Sequence, residues 1–223
     1  MLTTAALGAA FGTTTSLINN VPALLGEVGQ AHSDDSVATW IAIFLSLILD
    51  SGWAWATLGF ALGWLTGTAA RSAAAVPIAA VAGATGLLMA TVFYYVTDLL
   101  FDIDGDWPTA GYWVIRAVVL GPPLGVAGAL ARRPGTLGFL AGLTVPVGAA
   151  LNMLVFPPGS GVPGESSATA YAELSVWTAA AVGAAALTLR LVRTRRRLRS
   201  HAVTSGNPGS GTRAGARVNE NRQ

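Results

Sequence analysis

The side chains that could do chemistry here are the few polar ones set within long apolar stretches. Arg116 lies about six residues into one such stretch, Asp98 near the end of another, Asp50 at the start of a third, and Glu173 just inside a fourth. Asn19 and Asn152 occupy comparable positions in two more. An ionisable group among so many apolar neighbours costs several kcal/mol unless it is paired or hydrated, so these residues are expected to find one another. The expected arrangement is a polar pocket centred on Arg116, its guanidinium paired with Asp98, Glu173 or Asp50. The competing reading is that Arg116 extends along apolar surface to reach water while the carboxylates cap helices.

Other chemistries are excluded by what the chain lacks. With no cysteine, it has no disulfides, thiolate metal sites or cysteine nucleophile. His32 and His201 stand far apart in polar segments, and no H-E-x-x-H, P-loop or dinucleotide fingerprint occurs. Gly159-Ser160-Gly161 sits in a Pro/Gly-rich loop with no base nearby and reads as a turn. Asp102, Asp104 and Asp106 open like a calcium loop, but Trp107 takes the place of the sharp-turn glycine and Trp113 that of the closing glutamate. An acidic turn is the better reading. No cofactor is expected.

The elements that must position these residues follow from composition. The chain has 223 residues, 52% of them hydrophobic and only 11% charged, against roughly 25% charged in soluble domains. A helix crossing a hydrocarbon layer of about 30 Å needs about 20 largely apolar residues, because its backbone amides must be satisfied within the segment. Six stretches meet or approach that requirement: 2–25, 53–70, 73–101, 110–131, 135–156 and 171–191. The first is the most polar, with Thr13, Thr14, Thr15, Ser16, Asn19 and Asn20. Residues 37–49 are apolar but too few to cross alone, and read as a short interfacial or re-entrant helix. The fold class expected is an all-α integral membrane protein, a bundle of about six transmembrane helices occupying residues 1–199. Residues 200–223, rich in Gly, Ser, Asn and Arg and without aromatics, are expected to form a disordered tail.

All thirteen basic residues are arginine, and those beside apolar stretches fall in alternate connections: Arg71, then Arg132 and Arg133, then Arg190 to Arg199. The positive-inside rule makes these connections and both termini cytoplasmic, in the plasma membrane. The acidic residues Glu27, Asp34, Asp35, Asp102, Asp104, Asp106 and Glu165 fill the opposite loops, and most tryptophans and tyrosines lie near the outer ends. The arginines form no basic face with interleaved aromatics, so nucleic acid is not an expected partner. Lipids are, together with an unknown solute or membrane-protein partner. Glycines at intervals of four, including Gly59, Gly63 and Gly67 in the second stretch and Gly121 and Gly125 in the fourth, allow close helix packing within the chain or an oligomer contact. Pro77, Pro122, Pro123 and Pro146 are expected to kink their helices.

Asp50-Ser51-Gly52-Trp53-Ala54-Trp55, Gly63, Tyr94-Tyr95, Tyr112-Trp113 and Gly121-Pro122 with Gly125 resemble a family of small multi-pass membrane proteins from actinobacteria, catalogued as a domain of unknown function. The resemblance implies a helical bundle in the plasma membrane and supplies no mechanism. Taken together, the residues point to a non-enzymatic protein, either a small transporter-like protein with an outward-facing pocket or an accessory subunit of a membrane complex. An intramembrane enzyme is the weaker third reading.

Overall fold

The computed structural model describes residues 1–24, 37–67, 75–101, 107–157 and 167–205. Among them every regular element is a helix: α1 (Leu2–Leu24), α2 (Val37–Leu49), α3 (Gly52–Thr66), α4 (Ala75–Leu100), α5 (Trp107–Ala131), α6 (Thr136–Gly142), α7 (Thr144–Val155) and α8 (Ser167–Ser205). Four segments are long and apolar enough to cross a membrane: α4, most of α5 from Thr109, α6 with α7, and α8 to Arg197. The α2–α3 pair meets the same test only when the two are counted together, and it is bent by 60°.

That bend revises the second stretch. Residues 53–70 were expected to cross alone, but α3 ends at Thr66 and its 15 residues rise only about 22 Å. Together, α3 and the apolar helix before it form a pair long and apolar enough for a broken span or a re-entrant loop. Ser51 makes the bend: it adopts extended backbone (φ −81°, ψ 143°), and its hydroxyl donates to the Ile48 carbonyl at 2.7 Å instead of capping α3. Arg71, the acidic run 102–106 and the loop around Ser160 lie outside the described residues.

Small residues set the packing. A Cβ on Gly8 would meet the Gly86 backbone, and one on Gly12 would meet Ala90, so α1 and α4 run parallel with their backbones nearly touching. Gly63 likewise abuts Gly125, and Gly83 abuts Gly121, which brings α3, α4 and α5 together at one crossing. With lipid on the outside, apolar side chains gain nothing by leaving it for one another, and close backbone approach is what holds such helices together. A second cluster, Ala149, Met153, Val176 and Ala180, joins α7 to α8, with Ile48 and Trp53 packed against it.

The prolines behave unequally. Pro77 falls in the first turn of α4, where the missing N–H has no helical partner to lose, and the helix continues to Leu100 unbroken. Pro122 and Pro123 sit inside the continuous α5. Only Pro146 adjoins a break, the step between α6 and α7 at Leu143. At the arginine end, Arg190 donates to the carbonyls of Ala131 and Arg132, both at 2.9 Å, and Arg132 donates to that of Trp64 at 3.1 Å. These carbonyls lie at the C-terminal ends of α5 and α3, where cations complement the helix dipole. α8 runs on to Ser205, so the tail begins as helix; residues 206–223 lie outside the described residues.

Candidate functional site

Two turns of α1 carry Ser16, Asn19 and Asn20 on the face turned to α4, where Tyr94 and Asp98, one helical turn apart, look back at them. Ser16 donates to Asp98 Oδ1 at 2.5 Å and Asn20 donates to the same oxygen at 3.0 Å. Asp98 is only 8% exposed, and Ser16 is fully buried. These hydrogen bonds are what allow a carboxyl group there at all.

Asn19 ties the α2–α3 break to Tyr94. Its amide donates to Asp50 Oδ2 at 3.0 Å and to the Tyr94 hydroxyl at 2.9 Å, and its carbonyl oxygen accepts from Ser46 at 2.7 Å. One side chain therefore links α1, the end of α2, the break and α4. Asn19 lies five residues from the end of α1 and Tyr94 six from the end of α4, so their contact with the break sits about 7.5–9 Å along the helices from those ends, with Asp50 itself exposed.

Two cavities meet at the break, sharing Asp50, Gly52 and Trp113. The smaller, about 220 Å³, is walled by Trp55, Tyr94, Tyr95 and Trp113 with Thr91 and Thr109. The larger, about 530 Å³ and more open, is lined by Ser46, Tyr112, Arg116, Asn152, Met153 and Phe156 among others. Apolar walls with a few convergent polar groups are the usual make-up of a small-molecule site.

Of the residues expected at a pocket, Asn19 and Asp50 share one hydrogen-bonded group with Ser46 and Tyr94, Asp98 belongs to a second with Ser16 and Asn20, and Arg116 and Asn152 line the larger cavity with Asp50. Glu173 lines neither cavity. Arg116 is not the centre. Its guanidinium lies over the Tyr112 ring, 4.0 Å from the centroid, and 5.2 Å from that of Trp113, and among the described residues no ion pair joins it to Asp50, Asp98 or Glu173. Stacking keeps the charge partly hydrated at the cavity rim, a cheaper solution than burying an ion pair. Arg116→Leu is therefore expected to cost no more than the cation–π contact, about 0.5–2 kcal/mol. A thermal-melting comparison checks this, and loss of the folded protein would show that Arg116 holds the bundle together.

Sequence reasoning passed over Ser16, Ser46 and Tyr94 as site residues. Their signal was present as spacing: Ser16, Asn19 and Asn20 share one face of a helix, as do Tyr94 and Asp98. It saw the tryptophans and tyrosines only as residues near helix ends, and Trp55, Tyr95 and Trp113 wall the smaller cavity.

Fold and site together define an all-helical protein with several helices able to cross a membrane and a polar cleft at an interrupted helix. The chain belongs to a family of unknown function, DUF6518, whose pattern matches residues 45–207. No curated protein and no solved structure is detectably similar to it.

Proposed function

We propose that the chain is a six-span plasma-membrane protein with both termini in the cytoplasm, and that its cleft is the outward-facing pocket of a small transporter-like protein. The observation that carries this reading is the interrupted α2–α3 pair, whose Asp50 and Gly52 at the break line two adjoining cavities. Non-helical backbone is tolerated at membrane depth only where it is covered by protein or lines a hydrated cavity, and several transporter folds hold their solutes at such breaks.

The span count rests on two further arguments. With α3 upright, it contributes about 22 Å and the inclined α2 about 10 Å, enough together to cross about 30 Å of hydrocarbon. Of the polar residues of α1, Thr15 and Ser16 are buried inside the bundle, away from lipid, Thr13, Asn19 and Asn20 are half-buried, and Thr14 is exposed. The arginine end then faces inward and the cleft outward. An accessory-subunit reading would draw on glycine faces open to a partner. Gly8, Gly12, Gly63, Gly83 and Gly125 are instead covered by helices of the same chain.

The cysteine-free sequence makes the test direct. Single cysteines at Ser46 and Asn152 should react with a membrane-impermeant maleimide added outside intact cells, and one at Arg133 only after permeabilisation. Labelling of Arg133→Cys from outside, with Ser46→Cys protected, would reverse the topology and remove the pocket from the outer face.

A further inference from the structure

We propose that the smaller cavity binds a small organic monocation, a quaternary or protonated amine, between the Asp50 carboxylate and the faces of Trp55, Tyr94, Tyr95 and Trp113. This substrate class rests on the outward-facing pocket proposed above. The four rings come from α3, α4 and α5 and meet at varied angles: Trp55 and Trp113 have centroids 6.5 Å apart at 26°, Trp55 and Tyr94 6.2 Å at 58°, and Tyr94 and Tyr95 5.3 Å at 67°. Aromatic faces carry partial negative charge, and several of them around one void attract a soft cation from more than one side.

Asp50 supplies the full charge. Its Oδ2 accepts from Asn19, while Oδ1 accepts no hydrogen bond among the described residues. Asp98, one turn beyond Tyr94 on α4, lies off the cavity wall and is bonded to Ser16 and Asn20. Arg116 lines the larger cavity and is held over Tyr112, so among the described residues the smaller cavity has one carboxylate and four rings but no cation on its wall.

Other ligand classes fit less well. A hard metal ion wants six or more oxygens and the cavity wall offers one carboxylate, with the Thr91 hydroxyl already donating to the Leu87 carbonyl at 3.0 Å. An anion would face Asp50. A neutral solute would leave that carboxylate without a counter-charge. The volume of about 220 Å³ falls below the roughly 300–1,000 Å³ of drug-sized sites, which selects a compact ligand.

The test is calorimetric titration of the full chain in lipid nanodiscs with tetramethylammonium chloride, then with choline and its neutral carbon isostere 3,3-dimethylbutan-1-ol. Tetramethylammonium should bind saturably, and choline at least tenfold more tightly than the isostere. Asp50→Asn and Trp113→Leu should each weaken tetramethylammonium binding at least tenfold; the second variant serves where the first does not fold. Equal binding of choline and the isostere, no saturable binding of tetramethylammonium, or unchanged affinity in both variants would each overturn the proposal. Glycine betaine binding more tightly than choline would also overturn it, since that ligand needs Arg116 as well as Asp50. The two readings fail separately. If Ser46→Cys is labelled from outside and tetramethylammonium does not bind, the pocket stands and the ligand class is wrong; if binding depends on Asp50 but Ser46→Cys is protected, the ligand class stands and the pocket does not open outward.

Discussion

Gly125→Ala is expected to leave little folded protein. The added methyl would meet the Ala79 carbonyl, while Gly63 and Gly83 already press their own backbones against this part of α5. Overpacking a tight site ordinarily costs about 1–3 kcal/mol, and the upper end or beyond applies here because the obstacle is a backbone carbonyl inside a helix, which has no rotamer to change. Gly63→Ala should do the same, since its Cβ would strike the Gly125 carbonyl. Gly148→Ala is the control. It lies on an exposed face of α7 with nothing within 4 Å of a Cβ, and alanine there should gain about 0.5–1 kcal/mol in helix stability. Gel-filtration yield in detergent and melting temperature separate the outcomes. A Gly125→Ala protein as stable as the parent would mean that α3, α4 and α5 do not cross there.

The second large effect is expected at Asp98. Asp98→Leu removes the acceptor shared by Ser16 and Asn20 and leaves a buried donor at Ser16 and a half-buried one at Asn20, which keeps its bond to the Ser16 carbonyl, at about 1–3 kcal/mol for each that finds no new partner. The Ser16 hydroxyl can turn to a carbonyl of its own helix, so a net loss of about 3 kcal/mol is expected, equivalent to roughly 6–12 °C in melting temperature. Asp98→Asn keeps an oxygen at the same position and should cost less than half as much. The contrast matters more than either number. Equal loss in the two variants would show that the carboxylate charge, and not its role as acceptor, holds α1 to α4; no loss in either would detach Asp98 from the stability of the bundle.

Much of the helical plan was legible because apolar length is a local property. The ends of α4 and α5 follow from where long apolar runs meet polar or glycine-rich connections, and the step at Leu143 from Pro146, whereas α8 runs on past its apolar stretch to Ser205. The α2–α3 pair was only partly legible for the same reason. Residues 37–49 look too short to cross and 53–70 long enough, yet α3 stops at Thr66, and whether a neighbouring helix completes the length depends on an angle that no local pattern encodes. The polar site divides in the same way. Asp50, Asp98 and Asn19 stood out as polar groups in apolar surroundings, and Asn19 does meet Asp50, whereas Asp98 is bonded to Ser16 and Asn20; Arg116 drew attention as a charge deep in an apolar stretch and turned out to have an aromatic ring beneath it.

From sequence alone came the helical class, the near position of each long element, the short list of residues too polar to face lipid, and the chemistries excluded by the absence of cysteine and of nucleotide motifs. These depend on how each residue type partitions between water and hydrocarbon, and neighbours along the chain suffice to decide them. Tertiary structure alone decided which of those residues meet. The contacts from Asn19 to Asp50 and Tyr94 span 31 and 75 positions, and they exist because glycines at two crossings let α1, α3, α4 and α5 approach to backbone contact. Distances between helices follow from which small residues face one another, a pairing that becomes visible only once the helices are side by side.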